Sequence, residues 1–224
     1  MSLWALLPAA GSGRRFGSEI PKQFLDLAGR LVLEHSLNRL LAHEQIAGAV
    51  LCLGRRWMRQ PVRVDYHKPV LRTEGGAERA ESVLAGLRAL PPDCDWVLVH
   101  DAARPCLPAE DLERLLRARA EYAQGVILAA PVRDTMKSTG PGGRIRRTVE
   151  RKHLWHALTP QLFPRQPLIR ALEQGLSRGV EITDEASAME QAGYNPGVVC
   201  GSHRNIKITH PDDLALARFF LEQG

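Results

Sequence analysis

Gly11 and Gly13 follow a short apolar run, and Arg14, Arg15 and Lys22 come close behind them. Small residues let a backbone approach a ligand, and loop N–H groups without partners point at phosphate oxygens. Three cations within nine positions add positive charge where a polyphosphate would lie. The stretch reads as a loop for a nucleoside triphosphate. It is neither of the two common phosphate loops. A P-loop ends in Gly-Lys-Ser/Thr, which Gly11-Ser-Gly-Arg-Arg-Phe-Gly17 lacks. The dinucleotide fingerprint needs a glycine three positions after the second, and that position is Phe16. A tight turn after a first strand uses the same glycines, so the loop alone leaves a plain turn open; Lys22 favours phosphate. The basic residues are overwhelmingly arginine, and lysine stands only at 22, 68, 137, 152 and 207. A compact ammonium suits a phosphate oxygen. Lys22, Lys137 and Lys207 fall in motif-like stretches, whereas Lys68 and Lys152 read as surface residues.

Three further polar clusters follow apolar runs: Gly75-Gly76, Asp101-Ala-Ala-Arg104 and Asp134-Thr-Met-Lys137. Each alone is explained by a turn or a helix cap, for which Asp is favoured. Together with the first loop they would crowd one rim of one sheet, which capping does not explain. Asp101 is the clearest carboxylate at the end of a buried run, and so the candidate neighbour of a magnesium ion, which takes one or two carboxylates plus substrate phosphates. Zinc spacing is absent, His100 reads as a packed neighbour, and His153 and His156 have no metal geometry. Ser12 has no His/Asp partner in its sequence context, which argues against a hydrolase.

The elements that must position these groups alternate. The pattern predicts strands at Trp4–Ala9, Ala47–Leu53, Val70–Glu74, Trp96–Asp101 and Val126–Ala130. It predicts helices at Val32–His43, Glu78–Leu90, Ala109–Tyr122, Pro167–Ser177, Asp184–Ala192 and Pro211–Leu221. Continuous apolar strands between amphipathic helices indicate an α/β chain with a mostly parallel sheet covered on both faces. Between Pro131 and Gln161 the helical period disappears, and Gly140-Pro-Gly-Gly143 separates two polar runs, Val132–Thr139 and Arg144–Glu150. That is a hairpin signal. The hairpin is either an arm that packs on a second subunit or an exposed flap.

The 224 residues, 44% hydrophobic and 25% charged, suit a globular domain, and no apolar run approaches a membrane span. No secretory signal is visible, and Cys52, Cys94, Cys106 and Cys200 lack paired spacing, so a reducing cytoplasm is expected. The net charge of +5 is spread along the chain without a basic stripe. Arg55-Arg56-Trp57-Met58-Arg59 is the nearest approach to a nucleic-acid patch and reads as a solvated loop.

At full length the chain resembles one family. The resemblance rests on Pro8-Ala-Ala-Gly-Ser-Gly-Arg-Arg, Pro21-Lys-Gln, Glu34-His-Ser, Val99-His-Asp-Ala-Ala-Arg-Pro and Ala130-Pro-Val-Arg-Asp-Thr-Met-Lys. It continues in Trp155-His-Ala-Leu-Thr-Pro-Gln, Thr183-Asp-Glu-Ala-Ser and Asn205-Ile-Lys-Ile-Thr. These resemble, in order, the 2-C-methyl-D-erythritol 4-phosphate cytidylyltransferases. The resemblance implies a three-layer fold of the nucleotide-diphospho-sugar transferase type as a single domain over residues 1–224, with a dimerisation arm at about 131–152. It implies cytidylyl transfer from CTP to methylerythritol phosphate with magnesium. It makes Arg15 and Lys22 stabilisers at the α-phosphate and Arg151 and Lys207 the catalytic groups on the acceptor. Ala9, Ala10, Gly11, Gly13, Gly76, Ser82, Asp101 and Ala102 would bind CTP. Arg104, Thr135, Arg151, Thr183 and Lys207 would bind the acceptor, with Thr135 and Arg151 reaching over from the other subunit. The family often carries an acidic residue after the second glycine where this chain has Ala77, so that nucleotide contact is lost or supplied otherwise. Ribitol 5-phosphate cytidylyltransferase and a non-catalytic nucleotide- or RNA-binding domain are the alternatives.

Overall fold

The opening apolar run forms β1 (Ser2–Ala9), an interior strand of a seven-stranded sheet in the computed structural model, which describes residues 2–11, 16 and 20–223. A two-strand turn, β2 (Asp26–Leu27) and β3 (Arg30–Leu31), leads into α1 (Val32–Leu41). Then follow β4 (Ile46–Leu53), β5 (Val70–Glu74), α2 (Arg79–Ala89), β6 (Cys94–Val99), α3 (Ala109–Ala118) and β7 (Val126–Pro131). A hairpin of β8 (Met136–Thr139) and β9 (Ile145–Val149) precedes β10 (Trp155–Pro164). The chain continues through α4 (Arg165–Ser177), α5 (Glu185–Gln191), β11 (Gly197–Cys200) and α6 (Asp212–Glu222).

The strand order is β11-β7-β10-β6-β1-β4-β5. β1 runs parallel to β4 and β6, β4 to β5, and β7 to β11; β10 alone is antiparallel, wedged between β6 and β7. Alternation along the strands builds two cores. Leu3, Ala5, Leu7, Leu51 and Leu98 pack against Leu33, Leu37 and Leu40 of α1 and Leu112, Leu115 and Leu116 of α3. Trp4, Leu6, Val50, Val97 and Phe163 face the buried residues of α2, α4 and α5. Side chains on a strand point to alternate faces, so a strand apolar at every position must be covered on both sides. The expected three-layer, mostly parallel α/β architecture is the one observed.

β1 lies between β4, its successor in the sheet, and β6 on the other side. The connection after β1 runs towards β4 and the one after β6 runs the opposite way, towards β7, so a crevice opens between the carboxyl ends of β1 and β6, the place where open parallel sheets bind ligands. Two sheet strands were not read from the sequence. β10 carries Pro160 and shifts register between Ala157 and Gln161, which breaks its period. β11 is a four-residue edge strand.

The hairpin stands apart as its own two-stranded sheet, with Met136 opposite Val149 and Lys137 opposite Thr148. Gly142 and Gly143 turn it with φ of 81° and 73°, which only glycine adopts without strain. Its outer residues are exposed, among them Ile145 at 65%.

Candidate active site

The cleft opens at the carboxyl ends of β1 and β6 and is lined by Ala9, Ala10, Gly11, Lys22, Gly76, Ser82, Asp101, Ala102 and Lys207, together with Arg79. The glycine loop leaves β1 at Ala9. Beneath it, the buried Gln23 carboxamide donates to the carbonyl of Ala9 at 2.7 Å and of Gly11 at 2.9 Å. That pair of bonds fixes the loop's start, because a buried amide nitrogen has little alternative to the partners it holds. Lys22 belongs to the 3₁₀ turn Lys22–Phe24, which brings it into the cleft. Gly13 and Arg15 lie outside the described residues.

The opposite wall is the start of α2. Gly75 approaches the loop so closely that a Cβ there would lie 2.5 Å from the Cβ of Ala10. Ser82 Oγ donates to the Glu78 carbonyl at 3.1 Å, and the Glu78 N–H is taken by Glu81 at 3.0 Å. Ala77 and Glu78 both line the cleft, and Ala77 offers it no carboxylate.

The floor is a charge network around Asp101. Its Oδ2 accepts Lys207 Nζ at 2.8 Å and lies 3.5 Å from Arg104 Nε; its Oδ1 accepts Arg79 Nε at 3.2 Å. Arg79 is held from behind by Glu185, fully buried at the start of α5, through bonds of 2.6 and 3.0 Å. Burial alone would push the Asp101 carboxyl up, but Arg79, Lys207 and Arg104 hold it far below the usual carboxylate range. Burial likewise opposes charge on Arg79, and Glu185 and Asp101 overcome it. Arg104 lies behind Asp101, and burial lowers its pKa despite that carboxylate. Arg104 donates to the Asn205 carbonyl at 2.7 Å and does not line the cleft.

Backbone bonds lock the floor in place. The Asp101 N–H donates to Thr159 Oγ1 at 3.0 Å, and Asn205 Nδ2 donates to the Thr159 carbonyl at 2.7 Å. His100 Nε2 lies 3.1 Å from the Arg104 carbonyl, which only accepts, so that nitrogen carries the proton. Its Nδ1 then accepts from the Thr159 hydroxyl at 3.0 Å. Burial pushes the His100 imidazole down to about 4. His100 is thus a structural neutral imidazole, as its position in a packed run suggested.

Asp101 does not fit the role of magnesium ligand in this arrangement. Both its oxygens face cations, and no cluster of three metal-ligating side chains occurs among the described residues. Thr183, Thr135 and Arg151 are exposed and do not line this cleft. The Thr183 N–H donates to Ser187 Oγ in the turn before α5. Thr135 and Arg151 flank the hairpin. The sequence reading missed Arg79 altogether and quoted Gln23, Glu185 and Asn205 without giving them a task.

Residues 3–223 match the family model of 2-C-methyl-D-erythritol 4-phosphate cytidylyltransferase (IspD). A curated relative of that name from Shewanella amazonensis is 54% identical over 223 residues, spanning 99% of this chain and 94% of its own length. One from Aeromonas hydrophila is 53% identical, covering 99% of this chain and 90% of its own. The solved Francisella tularensis 2-C-methyl-D-erythritol 4-phosphate cytidylyltransferase superposes with a TM-score of 0.85 at 31% identity, over 98% of this chain and all of that one. A structure of a 4-diphosphocytidyl-2C-methyl-D-erythritol synthase gives 0.82 at 38% identity, over 98% and 99% of the two chains. A small-residue loop facing a cationic floor, on a sheet shared from end to end with these relatives, places the chain in the 2-C-methyl-D-erythritol 4-phosphate cytidylyltransferase family.

Proposed function

We propose that the cleft at the end of β1 carries out the family's reaction by bringing two anions together on a cationic floor. The chain is a nucleotidyltransferase of isoprenoid precursor biosynthesis: it transfers the cytidylyl group of CTP to 2-C-methyl-D-erythritol 4-phosphate and releases pyrophosphate. The observation that supports the site assignment is the convergence of Lys22, Arg79 and Lys207 on one cleft beside the Ala9–Gly11 backbone.

In this reading Ala9, Ala10, Gly11 and Gly13 cradle the triphosphate, and Gly76, Ser82, Asp101 and Ala102 hold the nucleoside. Arg15 and Lys22 sit at the α-phosphate. Lys207 orients the acceptor phosphate, with Arg104 steadying Asp101 beneath it and Thr183 at the acceptor's edge. Thr135 and Arg151 reach the acceptor from the arm of a second copy, which makes the working unit a dimer. A phosphate monoester has its second pKa near ~6, so the acceptor is already largely a dianion at neutral pH and needs no general base. One of its oxygens attacks the α-phosphorus in line, and the bond to the bridging oxygen of the departing pyrophosphate breaks. Repulsion between the two anions is the main obstacle, and fixed cations offset it before they stabilise the transition-state charge. Since Asp101 is already paired, it offers a magnesium ion no free carboxylate, and such an ion would supply only further positive charge beside the triphosphate.

No helix among the described residues is long and apolar enough to cross a membrane. The four cysteines form no disulfide, in keeping with a cytoplasmic setting. The test is pyrophosphate release from CTP, measured with methylerythritol phosphate and with ribitol 5-phosphate in parallel. Lys22→Ala and Arg15→Ala should each lower kcat by about a hundredfold or more while the fold persists. Near-normal turnover in either would reject the assignment.

A further inference from the structure

The run Arg55-Arg56-Trp57-Met58-Arg59 has no task in the reaction described above; its three arginines are exposed, as a solvated loop would have them, but Trp57 and Met58 are half-buried. It forms a 3₁₀ turn, Arg55–Trp57, directly after β4, on the rim that carries the nucleotide loop. The Trp57 indole stacks on Phe24, with ring centroids 4.4 Å apart and planes 16° from parallel. Phe24 follows Gln23, whose carboxamide holds the carbonyls of Ala9 and Gly11, and Lys22 opens the same turn. Gly54 meets the loop from the same side: a Cβ on it would lie 3.4 Å from the Ala10 carbonyl oxygen.

We propose that Trp57 is a positioning residue for the nucleotide loop, acting through Phe24 on Gln23 and Lys22. The inference rests on the reading that this loop holds the CTP triphosphate. The turn is firm enough to serve. The Trp57 N–H donates to the Gly54 carbonyl at 2.7 Å, and Arg72 of β5 donates to the carbonyls of Met58 and Gln60, each at 2.9 Å. The Arg56 guanidinium lies 5.4 Å from the indole centroid, which adds a cation–π contact to the ring. An indole half-buried among arginines at the rim is explained by what it packs on, and that is the backing of the loop. A triphosphate binds well only where the backbone N–H groups and Lys22 are already in place, because ordering them on binding subtracts from affinity. The ion pairs of Asp101 with Arg79, Arg104 and Lys207, on the acceptor side, do not involve the Gly54–Gln60 turn.

The test is steady-state kinetics with each substrate varied in turn. An aromatic pair spans a range that corresponds to about threefold to tenfold in affinity. Trp57→Ala should therefore raise KM for CTP by about that factor, lower kcat less, and leave KM for the acceptor within about twofold. Trp57→Phe, which keeps a ring for Phe24, should restore the CTP constant. Should Trp57→Ala fail to fold, Trp57→Leu keeps part of the apolar volume without the stack and is judged by the same criteria. An unchanged CTP constant, or equal rises for both substrates, overturns the proposal. The two readings fail separately: turnover that survives Lys22→Ala sinks the site assignment, whereas lost turnover there with normal CTP use in Trp57→Ala sinks only the role of Trp57.

Discussion

Asp101 and Glu185 face Arg79, Arg104 and Lys207, so the floor of the cleft holds two negative and three positive groups. One positive charge is left over beneath the place where anions must meet. Glu185 matters because it draws Arg79 away from full neutralisation of Asp101, and Asp101 thereby keeps hold of Lys207. Removing one partner of a buried pair leaves the other charge uncompensated. Glu185→Gln should cost about 1–3 kcal/mol, at or below the lower end of the usual range, because Arg79 keeps Asp101 as a partner and its side chain is 28% exposed. Urea unfolding of the variant measures it, and a loss below about 1 kcal/mol would show that Asp101 alone compensates Arg79. The cleft residues next to glycines and strand ends were legible in the sequence: Ala9, Gly11, Lys22, Gly76, Ser82, Asp101 and Lys207 all line it. The Arg79–Glu185 pair was not, because its members are 106 positions apart and no local spacing marks an ion pair made by two helix starts.

The elements show the same division between local and non-local information. β1, β4, β5, β6 and β7 announce themselves as apolar runs, and the helices follow their 3.6-residue period, with ends that differ from the sequence reading by a few residues. β10 is a strand only because β6 and β7 leave a space between them that an antiparallel segment fills, and its proline and register shift hide the alternation. The β8–β9 hairpin was readable from its glycines. What it packs on was not, since within this chain it stands as its own two-stranded sheet. A two-stranded hairpin alone is marginal in water, and this one exposes Met136 and Ile145. The second copy proposed above would cover those side chains and give them a reason to be apolar. Ile145→Asp would place an unpaired charge in that contact and should weaken a dimer by about tenfold or more. The monomer's stability should change by less than about 0.5 kcal/mol, as for other exposed positions. Sedimentation equilibrium decides it, and a wild-type chain that is monomeric at assay concentration would remove the arm's role. Arg151→Ala should raise KM for the acceptor and leave CTP use near normal; unchanged acceptor kinetics would place Arg151 elsewhere.

For the molecule as a whole, the same bonds hold the fold and the site, and acid should expose that sharing. His100 is fully buried, gives its one proton to the Arg104 carbonyl and accepts the Thr159 hydroxyl proton, while Thr159 also receives the Asp101 N–H. An added proton on Nδ1 would face that hydroxyl hydrogen and break the chain of bonds under Asp101. Burial accordingly pushes the imidazole from its ordinary 6.5 down to about 4. The unfolded chain therefore binds a proton that the folded chain refuses, and between those two values stability must rise with pH. The contribution is complete above about pH 6.5 and is lost as pH falls toward 4, where about 3 kcal/mol is gone. Asp101 remains ionised throughout that window, because its cations hold its pKa far below it. Unfolding by urea at intervals from pH 7 to 4, compared with His100→Gln, separates this contribution from those of the other histidines, which both proteins share. The wild-type curve should fall more steeply than that of the variant by about 3 kcal/mol over the range. Parallel curves would mean that His100 accepts its second proton inside the fold.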